Sequence, residues 1–336
     1  MPAGGVILMK KNLLLLHTGG TISMREDIKT GTVVPGDSNP LLEHADLFEE
    51  LGNFIVKEPF QLPSPHITPK EMLNLKNIIE ETIQQEKIDG VIITHGTDTL
   101  EETAYFLDLT VETDIPIVLT GAMRSSNEIG SDGLYNLLSA IRTASCESAK
   151  GKGVLVVLND EIHSALNVTK THASNVSTFQ SPQYGPLGII SKRGVIFHHT
   201  PNFRETFKVQ STVKKVALLK VHAGFDSTLL YALSNANYDG VVLEALGQGN
   251  IPPQAVEGVK HLLSKNIPIV IVSRCFNGTA DPVYGYDGGG KQLKDLGVIF
   301  ANGLNGQKAR IKLLAILESL EEWNHSQLEL LFNPLL

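Results

Sequence analysis

Short apolar runs recur along the 336-residue chain, each bounded by turn residues and followed by a segment of helical period. That alternation is what a parallel sheet with covering helices requires, so the pattern predicts an α/β fold. Strands are predicted at Asn12 to His17, Gly90 to Thr94, Ile115 to Thr120, Gly153 to Leu158, Lys215 to Val221, Gly240 to Glu244, Ile267 to Ser273 and Gly297 to Phe300. Most are rich in Val, Ile and Leu without polar alternation, as strands buried on both faces are. Behind Thr68-Pro69, a start signal of N-cap then Pro, the segment to Gln85 sets Met72, Leu75, Ile79 and Ile83 on one stripe and predicts an amphipathic helix. A second helix is predicted from Gly306 or Gln307 through Leu320, with Leu313, Leu317 and Leu320 inward and Leu314 beside them.

From Phe197 to Thr212 no period is sustained, and the stretch holds His198, His199, Pro201, Asn202, Arg204 and three Thr. Two domains are therefore expected, 1–198 and 214–336, joined by a linker at 199–213. With 42% hydrophobic and 19% charged residues the chain is unlike disordered or collagen-like sequences. The formal charge is -8 and no run of Lys and Arg makes the electrostatic footprint that a nucleic-acid or anionic-membrane binder needs, which argues against either as partner. Cys146 and Cys275 are the only cysteines; they lack zinc-site spacing and a disulfide framework, so a reducing compartment is expected. Lys10 and Lys11 precede the apolar run Leu13 to Leu16, but that run is too short for a secretion signal and passes into a Gly-rich turn. It is expected to be the first core strand of a cytoplasmic protein. No apolar stretch reaches the ~20 residues of a membrane helix.

In an open α/β sheet, ligands bind outside the carboxyl ends of the strands, so the residues there matter most. Two strand ends are rich in hydroxyls and glycine. His17-Thr18-Gly19-Gly20-Thr21-Ile22 offers a tight turn with backbone N–H groups and the Thr21 hydroxyl beside them. It lacks both the dinucleotide glycine spacing and the Lys-Ser/Thr ending of a phosphate loop. Thr94-His95-Gly96-Thr97-Asp98-Thr99-Leu100-Glu101-Glu102 follows the run Val91-Ile92-Ile93; helix capping accounts for Glu101, Glu102 and Thr99 but not for the whole cluster. Further on, Lys170 stands in Asn167-Val168-Thr169-Lys170-Thr171. A hydroxyl nucleophile needs a base and an orienting partner, and Thr97, Lys170 and Asp98 supply all three roles. No G-x-S-x-G elbow is present, and the eleven histidines show no metal-ligand spacing.

Thr18-Gly19-Gly20-Thr21-Ile22, the stretch His95 to Ala104, and Gly121-Ala122-Met123-Arg124 resemble the signature blocks of the bacterial-type L-asparaginase family. The similarity continues through Ser131-Asp132-Gly133, Gly153 to Asp160, Val168-Thr169-Lys170-Thr171, Tyr184 to Gly188, Gly247-Gln248-Gly249-Asn250 and Gln307-Lys308-Ala309-Arg310, in the family's order. The resemblance implies a flavodoxin-like larger N-terminal domain and a smaller Rossmann-like C-terminal α/β domain. It also implies hydrolysis of L-asparagine to L-aspartate and ammonia through a threonine and an acyl-enzyme, with weaker action on L-glutamine and no cofactor or metal. By motif match Thr21 would be the attacking hydroxyl, with Thr97, Asp98 and Lys170 a second constellation. Gly20, Ser64, Gly96, Thr97, Asp98, Ala122 and Asn250 would bind substrate, Ala122 through its backbone at the leaving amide. Donors near Gly20 and from Gly96 to Asp98 would meet the substrate and the oxyanion. The resemblance further implies a homodimer or homotetramer, Asn250 completing a neighbouring subunit's site.

Two departures from the family pattern stand out. Residues 23 to 60 contain no Tyr to support Thr21, and no Glu matches near Asp281 to Gly290. Thr97 therefore remains the other candidate nucleophile, and the absence of a signal peptide points to the cytoplasmic branch. An amidase acting on another amide donor and a non-catalytic amino-acid sensor are the alternative readings.

Overall fold

The computed structural model describes residues 10–27, 29–35, 50–301 and 303–333. The chain divides into two compact units, Met1–Ser181 with Gly185–Arg204, and Pro182–Tyr184 with Glu205–Leu336. Strands of the first unit are β1 (Asn12–His17), β2 (Met24–Glu26), β3 (Val33–Pro35), β4 (Asn53–Lys57), β5 (Gly90–Thr94), β6 (Ile117–Thr120), β7 (Val154–Leu158), β8 (Glu161–Ser164), β9 (Thr169–Lys170), β10 (Phe179–Gln180), β11 (Gly188–Ser191) and β12 (Gly194–Phe197). Eight of them form one sheet in the order β12-β11-β8-β7-β6-β5-β1-β4, while β2–β3 and β9–β10 are separate hairpins.

The run β4-β1-β5-β6-β7 is parallel, and in chain order it reads second, first, third, fourth, fifth. This is the flavodoxin-type order, whose direction of winding reverses between the first and third strands. The crevice at that reversal lies between the ends of β1 and β5, where His17 registers with Thr94. Beyond β7 the sheet turns antiparallel through Asn159 and Asp160, both at positive φ (49° and 65°), a two-residue turn that Asn and Asp tolerate. Alternate residues of the parallel strands feed two cores. Leu14, Leu16, Val91 and Ile93 meet the helices Pro69–Gln85 and Leu100–Thr110, whereas Leu13, Leu15 and Ile92 meet the helix Gly133–Ala144.

In the second unit β13 (Val216–Lys220), β14 (Gly240–Ala245), β15 (Ile269–Ser273) and β16 (Ile299–Phe300) lie side by side in chain order, all parallel. Helices Thr228–Asn235, Val256–Ser264 and Gly290–Asp295 cover one face, and Gly306–Ser319 and His325–Phe332 the other. The sheet has parallel α/β character, but a strictly sequential order lacks the reversal that gives a Rossmann sheet its crevice.

The bounds of β1, β5 and the helix Pro69–Gln85 are those the pattern predicts. β6 and β15 start two residues later than expected, at Ile117 and Ile269, each directly after a proline that has no N–H to give a ladder. The expected linker at 199–213 contains no helix or strand, yet the division between units falls inside it, after Arg204. Its second half is held on the second unit. Val209 is fully buried, Phe207 packs on the core beside the helix Gly306–Ser319, Glu205 pairs with Lys312, and Ser211 hydrogen-bonds Glu318.

Candidate active site

Two turns at the β1 and β5 ends build the site. After β1, Thr18 donates both its N–H (3.1 Å) and its hydroxyl (2.8 Å) to the Thr94 carbonyl, tying the two strand ends together. Gly19 (φ 98°) and Gly20 (φ 82°) then turn the chain into a short 3-10 turn that begins with Thr21. Both conformations belong to glycine, and space demands it as well. A methyl on Gly20 would sit 2.3 Å from the Gly96 backbone, and one on Gly96 would sit 2.7 Å from Ser64. Gly96 thus lies against both Gly20 and Ser64, which sets the Thr21 turn against the Thr97 turn.

On the β5 side, Lys170 Nζ donates to Thr97 Oγ1 (2.9 Å) and lies 2.7 Å from Asp98 Oδ1. The lysine side chain is only 16% exposed, whereas that of Asp98 is 57% exposed. The amine is thus enclosed beside the threonine, and the carboxylate remains reachable from solvent. Ser64 Oγ accepts the Asp98 N–H (3.1 Å), leaving its own O–H to donate. Asp98 N–H thus has a partner within the protein in this structure. Thr99 does not cap the following helix with its side chain; its hydroxyl donates to the Ser64 carbonyl instead (2.8 Å).

Two buried histidines brace the turns from behind. His95 Nδ1 is 2.8 Å from the Gly96 carbonyl and Nε2 is 2.9 Å from Thr103 Oγ1. A carbonyl only accepts, so Nδ1 carries the proton and the neutral ring accepts from Thr103. Across a trans peptide the C=O and N–H point opposite ways, so holding the Gly96 carbonyl also fixes the heading of the Thr97 N–H. His17 Nδ1 is 2.8 Å from Thr94 Oγ1. Burial lowers the pKa of each histidine to about 4, with Glu58 partly opposing this at His17 and the Gly96 carbonyl at His95.

Ala122 follows β6 and is fully buried, its methyl in the core with Ile22 and Gly133 alongside. The next two N–H groups, of Met123 and Arg124, donate to the Asp132 carboxylate, and Asn136 Nδ2 donates to the Gly121 carbonyl (3.0 Å). This Asp132–Asn136 brace was not singled out from the sequence, although Asp132 lies in one of its motifs. Glu101, read from the sequence as a helix-dipole carboxylate, is 4% exposed and accepts from Thr169 Oγ1 (3.1 Å) and Lys170 N (3.2 Å). In the second unit, Asn250 Oδ1 accepts the Gly290 N–H (3.0 Å), so the amide nitrogen is the end left for another partner. Among the described residues no group of three or more His, Cys, Asp or Glu could hold a metal, and no helix is long and apolar enough to cross a membrane.

The chain is similar in sequence and fold to known proteins. Residues 12–203 match the family model for the asparaginase N-terminal domain, and 215–332 match that for the glutaminase/asparaginase C-terminal domain. An L-asparaginase of Bacillus licheniformis is 37% identical over 315 residues, covering 94% of this chain and 98% of that protein. A glutaminase-asparaginase of Pseudomonas aeruginosa is 31% identical over 340 residues, covering 96% and 90%. The crystal structure of a probable cytoplasmic L-asparaginase from Campylobacter jejuni superposes with a TM-score of 0.85 at 34% identity, covering 96% of this chain and 99% of that one. Both halves of the chain match, and the protein therefore belongs to the asparaginase family.

Proposed function

We propose that the chain is an amidohydrolase converting L-asparagine to L-aspartate and ammonia through a threonyl ester, with weaker hydrolysis of L-glutamine. The observation that carries this reading is the enclosed Lys170 amine, 2.9 Å from the Thr97 hydroxyl and 2.7 Å from Asp98, at the crevice that also holds the Thr21 turn. The substrate is a zwitterion with a side-chain amide. Exposed Asp98 suits its ammonium, and the Ser64 hydroxyl and the glycine-turn N–H groups suit its carboxylate.

Thr21 attacks the amide carbonyl in this proposal, its proton passing to a neighbouring acceptor as the C–O bond forms. Negative charge then collects on the former carbonyl oxygen, and a fixed N–H such as that of Thr97 stabilises it without reorganisation. Collapse breaks the C–N bond and releases ammonia once the nitrogen has gained a proton. Water adds to the ester in the same way, returning aspartate and the threonine. The backbone at Ala122 faces the leaving amide in this scheme. The Lys170 amine, 2.9 Å from Thr97 Oγ1, supports a second reading in which it is the base for Thr97 and Thr97 attacks first.

Ammonia release from asparagine, followed in wild type, Thr21→Ala and Thr97→Val, tests the proposal. Each variant is expected to lose at least ~10³ in kcat, because each removes a group acting in the chemical steps. Peptide mapping of enzyme quenched during turnover locates the ester on Thr21 or Thr97. Near wild-type turnover in either variant removes that residue from the mechanism. Release of no ammonia by the wild type would leave an amino-acid sensor or an amidase for another donor. We place the enzyme in the cytoplasm, as the Campylobacter relative is named, and assign it a homodimer or homotetramer in which Asn250 of one subunit completes a neighbour's site.

A further inference from the structure

Lys170 stands on β9, a two-residue strand that, among the described residues, lies outside the eight-stranded sheet and pairs only with β10. A lysine has four rotatable side-chain bonds, so its amine meets Thr97 and Asp98 together only if its backbone is fixed relative to the β5 turn. Glu101 provides that fixture. It lies four residues after Thr97, in the first turn of the helix Leu100–Thr110, and its Oε1 accepts both the Lys170 N–H and the Thr169 hydroxyl. One turn-and-helix segment thus grips the same lysine at its amine, through Thr97 and Asp98, and at its backbone, through Glu101.

We infer that Glu101 is a positioning residue for the reaction, holding the Lys170 backbone so that its amine stays on the Thr97 hydroxyl; this rests on the catalytic reading of Thr97 and Lys170 given above. A first-turn carboxylate ordinarily serves the helix dipole from the surface. Glu101 is instead buried, with its carboxylate turned onto another strand. The other strand of the hairpin has its own anchors. Phe179 is buried in the core, Gln180 Nε2 lies 3.3 Å from Glu161, and Ser181 Oγ is 2.9 Å from His163 Nδ1. Loss of Glu101 therefore loosens the Lys170 strand while the hairpin remains attached.

The test compares Glu101→Leu, which removes the acceptor, with Glu101→Gln, which keeps an acceptor oxygen in the same place. Glu101→Leu is expected to lower kcat by about 10²-fold with KM within about threefold, and Glu101→Gln to keep kcat within about threefold. Thermal unfolding of both variants checks the fold, and the Gln variant remains informative if the Leu variant does not fold. Wild-type kcat in a folded Glu101→Leu, or an equal loss in Glu101→Gln, overturns the inference. Lys170→Met, measured alongside, separates the two levels of the argument. An active Lys170→Met enzyme sinks the catalytic reading itself, whereas an inactive one beside a fully active Glu101→Leu sinks only the role of Glu101.

Discussion

Histidines 17 and 95 show how single residues of the site are tied to stability. Both are buried, and both are neutral in the fold because burial holds their pKa at about 4 against an ordinary 6.5. The Nε2 of His17 has no hydrogen-bond partner among the described residues, so a proton placed there would enter a buried, unpaired position. In the unfolded chain each ring takes up a proton as the pH falls through about 6.5, while in the fold it resists until about 4. The stability they contribute is therefore present above pH 6.5 and is lost as the pH falls to 4, by about 3 kcal/mol for each histidine. Urea unfolding measured between pH 6.5 and 4 should show His17→Asn with a slope against pH shallower than wild type by about 1.4 kcal/mol per unit, one proton's worth. An unchanged slope would mean that His17 is already charged in the fold.

Among the elements, the helix Gly306–Ser319 carries the clearest case of a local pattern overridden by distant chain. Leu313, Leu317 and Leu320, with Leu314 beside them, predict one inward stripe, yet Lys308 and Lys312 are buried too. The helix is enclosed because the segment after Arg204 and the helix His325–Phe332 both lie against it, and the Lys312 partner Glu205 is 107 residues earlier. No local periodicity reports a partner that far away. Lys312 pairs with Glu205, its amine also 5.3 Å from the centre of the Phe332 ring, and burial lowers its pKa despite that carboxylate. Breaking a buried pair by removing one partner leaves the other charge uncompensated. Lys312→Met should therefore cost about 3–5 kcal/mol in urea unfolding, and Lys312→Met with Glu205→Leu should recover most of it. A single variant as stable as wild type would show that the pair contributes nothing. The same limit explains the site. Thr21, Thr97, Asp98 and Lys170 are marked in the sequence by their residue types at strand ends and by motif. Glu101 lies in the same stretch but is read there only as a helix-dipole carboxylate, because its bond to Lys170 joins residues 69 apart, and the use of the Asp98 N–H by Ser64 joins residues 34 apart. β1, β5, β6 and β7 are legible as apolar runs, whereas the parallel edge strand β4, half-exposed and polar at both ends, is missed by that pattern, and β11 alternates buried and exposed positions at the antiparallel end of the sheet and leaves no such run.

At the scale of the whole molecule, the first unit contains the winding reversal and both threonine turns, while the second has four parallel strands in sequential order and no reversal of its own. A unit without such a reversal can still contribute side chains to a site on another copy. Asn250 is suited to that role: the Gly290 N–H occupies its Oδ1, so its amide N–H groups are directed to whatever else it meets. Asn250→Asp keeps the acceptor for Gly290 and removes the donors, and should lower activity without touching the residues that do the chemistry. If Asn250 serves a neighbouring subunit, the active species is at least a dimer, and closed symmetry gives every subunit one complete site. Thr21→Ala subunits and Asn250→Asp subunits, dissociated and reassembled together, should then regenerate sites that draw an intact Thr21 from one chain and an intact Asn250 from the other. Mass spectrometry verifies the mixed oligomers, and ammonia release above that of either parent shows the shared site. Mixed oligomers with no recovered activity, or a fully active monomer, would exclude it.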